Sequence, residues 1–327
     1  MGNSTDRDEL LAYVAEKYYL EDHKQTEIAD MIGLTRSAVS RMLTEAREKE
    51  IVEIIIHHPF QYDYDLEKKL KITLNLKHVS VVKFKNQPGY DEIRKQLGKA
   101  GSRLLVKLIK PGYKLGIAWG TSVQATIEAF EQIPIRDIKV VQLVGVLGST
   151  RHSYSAQTLV ERMAQKIGGE GTYLYSPFIV ENELTATSML EDPSVEQAIS
   201  SGRDCDIALV GIGTTKPEYC SLYKGNHISL TELNAIQASN AAGDVCALYF
   251  GIDGSPAQID FHKRRIGIPL TGLLDITIRL GVAGSIEKAE AIVGAARGGF
   301  INSLVTDNLT AVRVLELAQA QNQNNKN

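Results

Sequence analysis

Cysteine is scarce: three residues, Cys205, Cys220 and Cys246, lie scattered through 327 with no C-x-x-C pair. A disulfide framework and a structural zinc site are both unsupported by that spacing. Long apolar runs are also missing, so nothing approaches the length of a membrane-spanning helix. The first residues, MGNSTDRDELL, are polar and acidic, unlike a secretory leader. These absences predict a cytoplasmic protein with no membrane partner. An excess of positive charge is lacking as well: the formal net charge is −3. Residues 1–58 carry seven Lys/Arg against twelve Asp/Glu, a balance of −5. A non-specific, charge-driven coat for nucleic acid would be basic and is excluded.

With 43% hydrophobic and 23% charged residues the chain is globular, and 327 residues suit two domains. The stretch Gln25–Glu50 organises the first. A short helical pattern over Thr26–Ile32 breaks at Gly33-Leu34, and a second helix follows with Ala38, Val39, Met42, Leu43 and Ala46 on one stripe. Thr35 stands where an N-cap belongs. The opposite face offers Arg36, Ser37, Ser40, Arg41 and Thr44, short donors and guanidinium forks that reach phosphates and base edges from a major-groove helix. Residues 35–44 hold two arginines and no acid, so positive charge is local to that face. The pattern fits a helix-turn-helix; it also fits an ordinary helix pair with a solvated outer face. A helix over Asp6–Tyr19 would back the pair. The β-branched run IVEIII (51–56) reads as a strand or wing, His57-His58-Pro59 as a linker, and 64–74 as a linking helix.

From Lys77 the texture changes. Apolar strand-like runs at 79–84, 114–119, 138–144, 171–176, 205–212, 244–250, 277–283 and 301–306 alternate with helical stretches such as 91–109, 122–131, 153–167, 285–296 and 308–318. Near-continuous apolar strands with helices between them predict an α/β domain, a mainly parallel, doubly wound sheet covered on both faces. Ligands of such sheets sit at the carboxyl ends of the strands, where the glycines cluster: Gly120, Gly145, Gly148, Gly211, Gly213, Gly251 and Gly254. KLGIAW-GTSV-QATIEAF reads as strand, turn, helix. Gly120 opens the turn, and Thr121 and Ser122 add hydroxyls at a helix N-terminus, a seat for phosphate; the same hydroxyls would serve as plain helix caps. Lys288 falls in the first turn of the 285–296 helix, where the dipole disfavours a cation unless an anion neutralises it. The tail QAQNQNNKN is polar and predicted to be disordered.

The run YYLEDHKQTEIADMIGLTRSAVSRMLTEAREKEIVEI, followed in order by WGTSV, DIALVGIG, AGDVCALYFGIDG and VAGSIEKAEAIVGAARGGFINSLVTDNLTA, resembles the SorC family of bacterial sugar-responsive transcription regulators, DeoR type included, over nearly the whole chain. The resemblance implies a DNA-binding domain at 1–58 with an N-terminal (winged) helix-turn-helix. It implies an effector-binding and oligomerisation domain at 59–318, similar in fold to sugar-phosphate isomerases and CoA transferases, and a tail at 319–327. It implies double-stranded operator DNA, a phosphorylated sugar effector and a second or fourth copy of the chain as partners, with no cofactor and no metal. Gln25 and Thr26 would join Thr35, Arg36, Ser37, Ser40 and Arg41 on DNA. Gly120, Thr121, Ser122, Gly145, Gly148, Gly213, Asp244 and Lys288 would surround the effector, with Asp244 near the sugar hydroxyls. Some relatives form a Schiff base through a lysine where this chain has Val144, so that covalent route is closed. Ser285 replaces a glycine common among relatives, and Lys24 a capping threonine. The alternative is a sugar-phosphate isomerase-like enzyme with an appended helix-turn-helix. It needs a positioned base, for which Asp244 and Glu181 are the available carboxylates.

Overall fold

The computed structural model describes residues 3–53, 62–148 and 153–324. The chain divides into two compact units, Met1–Pro59 and Phe60–Asn327.

The first unit is three helices: α1 (Asn3–Tyr19), α2 (Gln25–Ile32) and α3 (Arg36–Glu48). Their common core is Leu11, Val14, Ala15, Ile28, Ala29, Val39, Met42, Leu43 and Ala46, the stripe read from the 3.6-residue period. Gly33 ends α2 at φ 67°, a left-handed C-cap. Thr35 caps α3, its hydroxyl accepting from the Ala38 N–H at 3.2 Å. At Lys24 the missing threonine cap is offset by Glu27, whose carboxylate accepts the Lys24 N–H at 2.9 Å. The strand expected over 51–56 is not found where the chain is described. Residues 51 and 52 are a bend, with the Val52 N–H donating to the Ala46 carbonyl and Ile51 and Val52 packed on the helical core. Residues 54–56 and the linker 57–59 lie outside the described residues.

The second unit opens with α4 (Tyr64–Thr73), β1 (His78–Val82), α5 (Tyr90–Leu108), β2 (Lys114–Ile117), α6 (Thr121–Ala129), β3 (Lys139–Gln142), α7 (Ala156–Ile167) and β4 (Glu170–Thr172). Two helices that carried no clear sequence period follow, α8 (Glu183–Leu190) and α9 (Pro193–Arg203), then β5 (Ile207–Gly211), β6 (Gly213–Thr214), α10 (Ser221–Lys224) and α11 (Leu230–Ala238). The chain closes with β7 (Gly243–Val245), β8 (Leu248–Phe250), α12 (Leu270–Asp275), β9 (Ile278–Val282), α13 (Ala289–Arg297), β10 (Ser303–Asp307) and α14 (Asn308–Asn324).

Seven strands form one sheet in the order β1-β10-β9-β5-β2-β3-β4, and every pairing is parallel. Successive strand residues feed two different cores. Leu115, Val140, Leu209 and Val282 join one with α5, α6 and α7; Val141, Val210 and Leu304 join the other with α13 and α14. That is the two-residue alternation of a sheet buried on both faces.

Three local expectations are corrected. The run 244–250 is not one strand but the hairpin β7–β8 in a small antiparallel sheet with β6. Its turn residues, Cys246 and Ala247, both take positive φ (55° and 57°), held there by the Asp244 carboxylate, which accepts the Ala247 N–H at 3.0 Å. The helix expected at 285–296 begins as a 3-10 turn, Ile286–Lys288, so Lys288 is the N-cap of α13. The tail expected to be disordered from 319 continues α14 to Asn324. Its alanine and glutamines are good helix formers, and the preceding turn is anchored by buried Ala318.

Candidate functional site

The sheet order changes direction between β2 and β5. From β2 the chain moves outward through β3 and β4; from β5 it moves the other way to β9 and β10. Connections diverge there, leaving a crevice at the carboxyl ends of the two strands, the usual ligand position in an open α/β sheet. Such a cleft is present, about 480 Å³ including its mouth, lined by Trp119–Ser122 after β2, Gly211–Gly213 after β5, Cys220–Leu222, Asp244, Cys246 and Lys288. Six of the eight effector residues expected from sequence therefore meet: Gly120, Thr121, Ser122, Gly213, Asp244 and Lys288. Gly145 and Gly148 do not line it. Gly145 is accounted for by close backbone approach, since a Cβ there would sit 2.5 Å from the Pro177 carbonyl. Gly148 faces a separate hollow beside Phe178 and His227.

Each part of the cleft has a local cause. Gly120 precedes α6 at φ 136°, a conformation side chains disfavour, and no side chain caps the helix there. The first N–H groups of a helix lack intrahelical acceptors, so Thr121 and Ser122 present donors and the positive end of the dipole to the cleft. Gly213 pairs with Asp244 across β6–β7. A Cβ at 213 would collide with the Asp244 carboxylate, so glycine is what gives that side chain its place. Burial pushes the Asp244 carboxyl up to about 6, against the opposing pull of the Ala247 N–H, Lys288 and Arg265. Lys288 is 7% exposed, and no carboxylate of the described residues lies within 4.0 Å of its ammonium. A buried cation without a paired anion is costly unless a ligand supplies the charge. Ser285, in the turn leading to Lys288, holds φ 91°, the backbone conformation for which a glycine is ordinarily used.

Chemistry beyond binding has little support in this cleft. Burial raises both thiols, Cys246 to about 12 and Cys220 above its usual value, so neither is a ready thiolate. Glu181 is exposed and outside the lining. Among the described residues no group of three His, Cys, Asp or Glu is placed to hold a metal, and no helix is long and apolar enough to cross a membrane. A larger hollow, about 1300 Å³, lies at the other end of the sheet. Its cations are committed to backbone carbonyls: Lys77 Nζ donates to Thr277 at 2.9 Å and Arg279 Nε to Gly299 at 2.7 Å. The sequence did not single out Trp119, Cys220, Ser221, Leu222 or Cys246. Trp119 stands directly before the Gly-Thr-Ser turn, a positional signal; α10 offers none.

In the first unit, Arg36, Ser37, Ser40, Arg41 and Thr44 are all exposed on one face of α3, as are Thr26 and Thr35 nearby, with Gln25 half-buried. Two acids of the unit are engaged with other cations, Glu45 with Arg7 at 2.7 Å and Asp8 with Lys49 at 2.8 Å. Arg36 and Arg41 have no carboxylate partner among the described residues.

A cleft at a switch point, in a chain whose first unit has the helix pair of a helix-turn-helix, fits a class: DNA-binding regulators that sense a small molecule. Comparison narrows it. The family model described as "Putative sugar-binding domain" matches residues 58–316. The sorbitol operon regulator of Klebsiella pneumoniae is 29% identical over 318 residues, covering 97% of this chain and all of that one. The deoxyribonucleoside regulator of Bacillus subtilis is 29% identical over 307 residues, 94% of this chain and 97% of that one. The transcriptional regulator LsrR of Escherichia coli K12 is 30% identical over 313 residues, 94% and 95% respectively. The crystal structure of the full-length sorbitol operon regulator SorC superposes with a TM-score of 0.71 at 28% identity, covering 95% of this chain and 99% of that one. The chain belongs to the SorC/DeoR family of sugar-binding transcriptional regulators. It is a sugar-responsive regulator of transcription, not an enzyme.

Proposed function

We propose that this protein controls a carbohydrate operon from the cytoplasm, and that a phosphorylated sugar or polyol in the β2–β5 cleft sets its affinity for operator DNA. The observation that carries the effector class is Lys288, a buried ammonium with no carboxylate of the described residues within 4.0 Å, lining the same cleft as the N-terminus of α6. A phosphate satisfies both. Asp244, at the other wall, takes hydroxyl donors from the sugar; a carboxylate accepts two and thereby favours a polyol. Arg36 and Arg41 contact guanine edges or phosphates, Ser37 and Ser40 add base or phosphate contacts, and Gln25, Thr26 and Thr35 hold the backbone. The Phe60–Asn327 unit assembles dimers or tetramers, so that paired helix-turn-helix units read a roughly palindromic site.

The test is a thermal-shift screen of sugar phosphates, each beside its unphosphorylated parent, on the wild type and Lys288→Ala. A ligand that binds only the folded state raises the melting temperature. A phosphosugar that shifts the wild type, with its parent silent and the variant blunted, supports the reading. Shifts with free sugars alone, or an undiminished shift in Lys288→Ala, remove the phosphate seat.

A further inference from the structure

The cleft contains one polar group whose bond is missing. Trp119 is among its lining residues, and the indole Nε1 is buried from solvent with no acceptor among the described residues. Buried indole N–H groups ordinarily find a partner, because an unsatisfied one forfeits its hydration without return. The ring itself is well placed: it joins the aromatic cluster below the cleft, its centroid 6.5 Å from that of Phe178. The N–H is thus held by surroundings that do not use it. It also lies one residue before Gly120, at the start of the turn that seats the anion.

We propose that Trp119 is a specificity-determining residue, its indole N–H donating to a hydroxyl or ring oxygen of the bound sugar phosphate. This rests on the phosphosugar reading above and adds to it a requirement on the sugar. Lys288 and α6 take the anion, Asp244 takes donors, and Trp119 demands an acceptor oxygen. A phosphorylated compound without an oxygen at that position leaves the N–H unpaired and binds less well. Sites built around a ligand oxygen discriminate strongly against analogues that lack it.

Trp119 is the chain's single tryptophan, so its emission reports on the cleft alone. The experiment is calorimetric titration of the full-length wild type and Trp119→Phe with sugar phosphates and their deoxy analogues, with the wild-type emission followed in parallel. The phenylalanine keeps an aromatic ring and removes only the donor and the second ring. The expected result is a loss of about tenfold in affinity for the fully hydroxylated ligand, the scale of one net hydrogen bond. One deoxy analogue should bind both proteins equally, and the wild-type emission should change on ligand addition. A purely structural role would instead weaken every ligand alike, the deoxy analogues included. Equal affinities in the two proteins overturn the assignment. So does a wild-type emission that stays constant while calorimetry records binding, a readout that holds even if the variant does not fold. If the wild type binds no sugar phosphate at all, the phosphosugar reading fails, and this assignment fails with it.

Discussion

Asp244 pays a desolvation cost for standing in the cleft. Its carboxyl is raised from 3.8 to about 6 by burial, so the fold favours the protonated form. The sign follows: the cost is absent below pH 4, grows as the proton leaves, and is complete above pH 6. The gap corresponds to up to about 3 kcal/mol. Asp244→Asn, which keeps an acceptor for the Ala247 N–H, should therefore be more stable than the wild type at pH 7.5 and equal to it near pH 4. Denaturant melts at the two pH values measure the difference. His262, held down to about 4 by burial, titrates in both proteins and cancels. A ligand that donates hydroxyls to Asp244 offsets the same cost, so the wild type should gain more from effector at high pH than at low. Much of the cleft's lining was legible from sequence through turn chemistry: Gly-Thr-Ser after an apolar strand suits either an anion or a plain helix cap, and no side chain caps α6 at Gly120. Asp244 was reached only by resemblance, because nothing local marks an acid in a short strand as buried. Cys220 and Leu222 were invisible, since four-residue α10 has no period to read.

At the scale of elements, the turn between β9 and α13 stores strain. Ser285 at φ 91° costs on the order of 1–3 kcal/mol, part of which a glycine would recover after its own entropic loss. Ser285→Gly should raise the stability by about 1 kcal/mol, read as a higher melting temperature, while leaving Lys288 in place. The hairpin β7–β8 illustrates why a strand pattern misleads: DVCALYF alternates well enough for one strand, and its turn, Cys246-Ala247, has neither glycine nor asparagine to announce itself. Only the Asp244–Ala247 contact makes the reversal intelligible. Helix α3 is the opposite case. Its apolar stripe, its Thr35 cap and the Gly33 break that ends α2 before it were all local signals, and each is found. Arg41, exposed on the open face, should carry one specific contact. Arg41→Ala is expected to weaken operator binding by roughly 1–3 kcal/mol at fixed salt, measured by fluorescence anisotropy, with the melting temperature unchanged.

For the whole molecule, the cores are separate. The cluster built on Leu11, Ile28 and Val39 draws every residue from the first unit, and the two large clusters flanking the sheet draw theirs from the second. Each unit therefore has its own hydrophobic driving force. Residues 60–327 expressed alone should fold, melt as one transition and bind sugar phosphate with the affinity of the full chain; calorimetry of the fragment decides this. Domain count was readable from length and the change of texture near Lys77. Sheet order was not, because it depends on pairings between strands far apart in the chain, and sequence patterning carries no record of which strand lies beside which.

One of those pairings has a consequence for how the protein is made. Edge strand β1 has its sheet neighbour in β10, with His78 opposite Ser303, 225 residues later. At ribosomal rates of about 5–20 residues per second, β1 leaves the ribosome roughly 10 to 45 s before its partner exists. Its other side does not wait. The Val81 N–H is taken by the Glu67 carboxylate at 3.0 Å, and the Val81 carbonyl by the Asp63 N–H at 2.9 Å, both from the segment synthesised just before it. The nascent strand thus emerges with one border already occupied, which limits its chance of adhering to a strand of a neighbouring chain on the same message until β10 arrives.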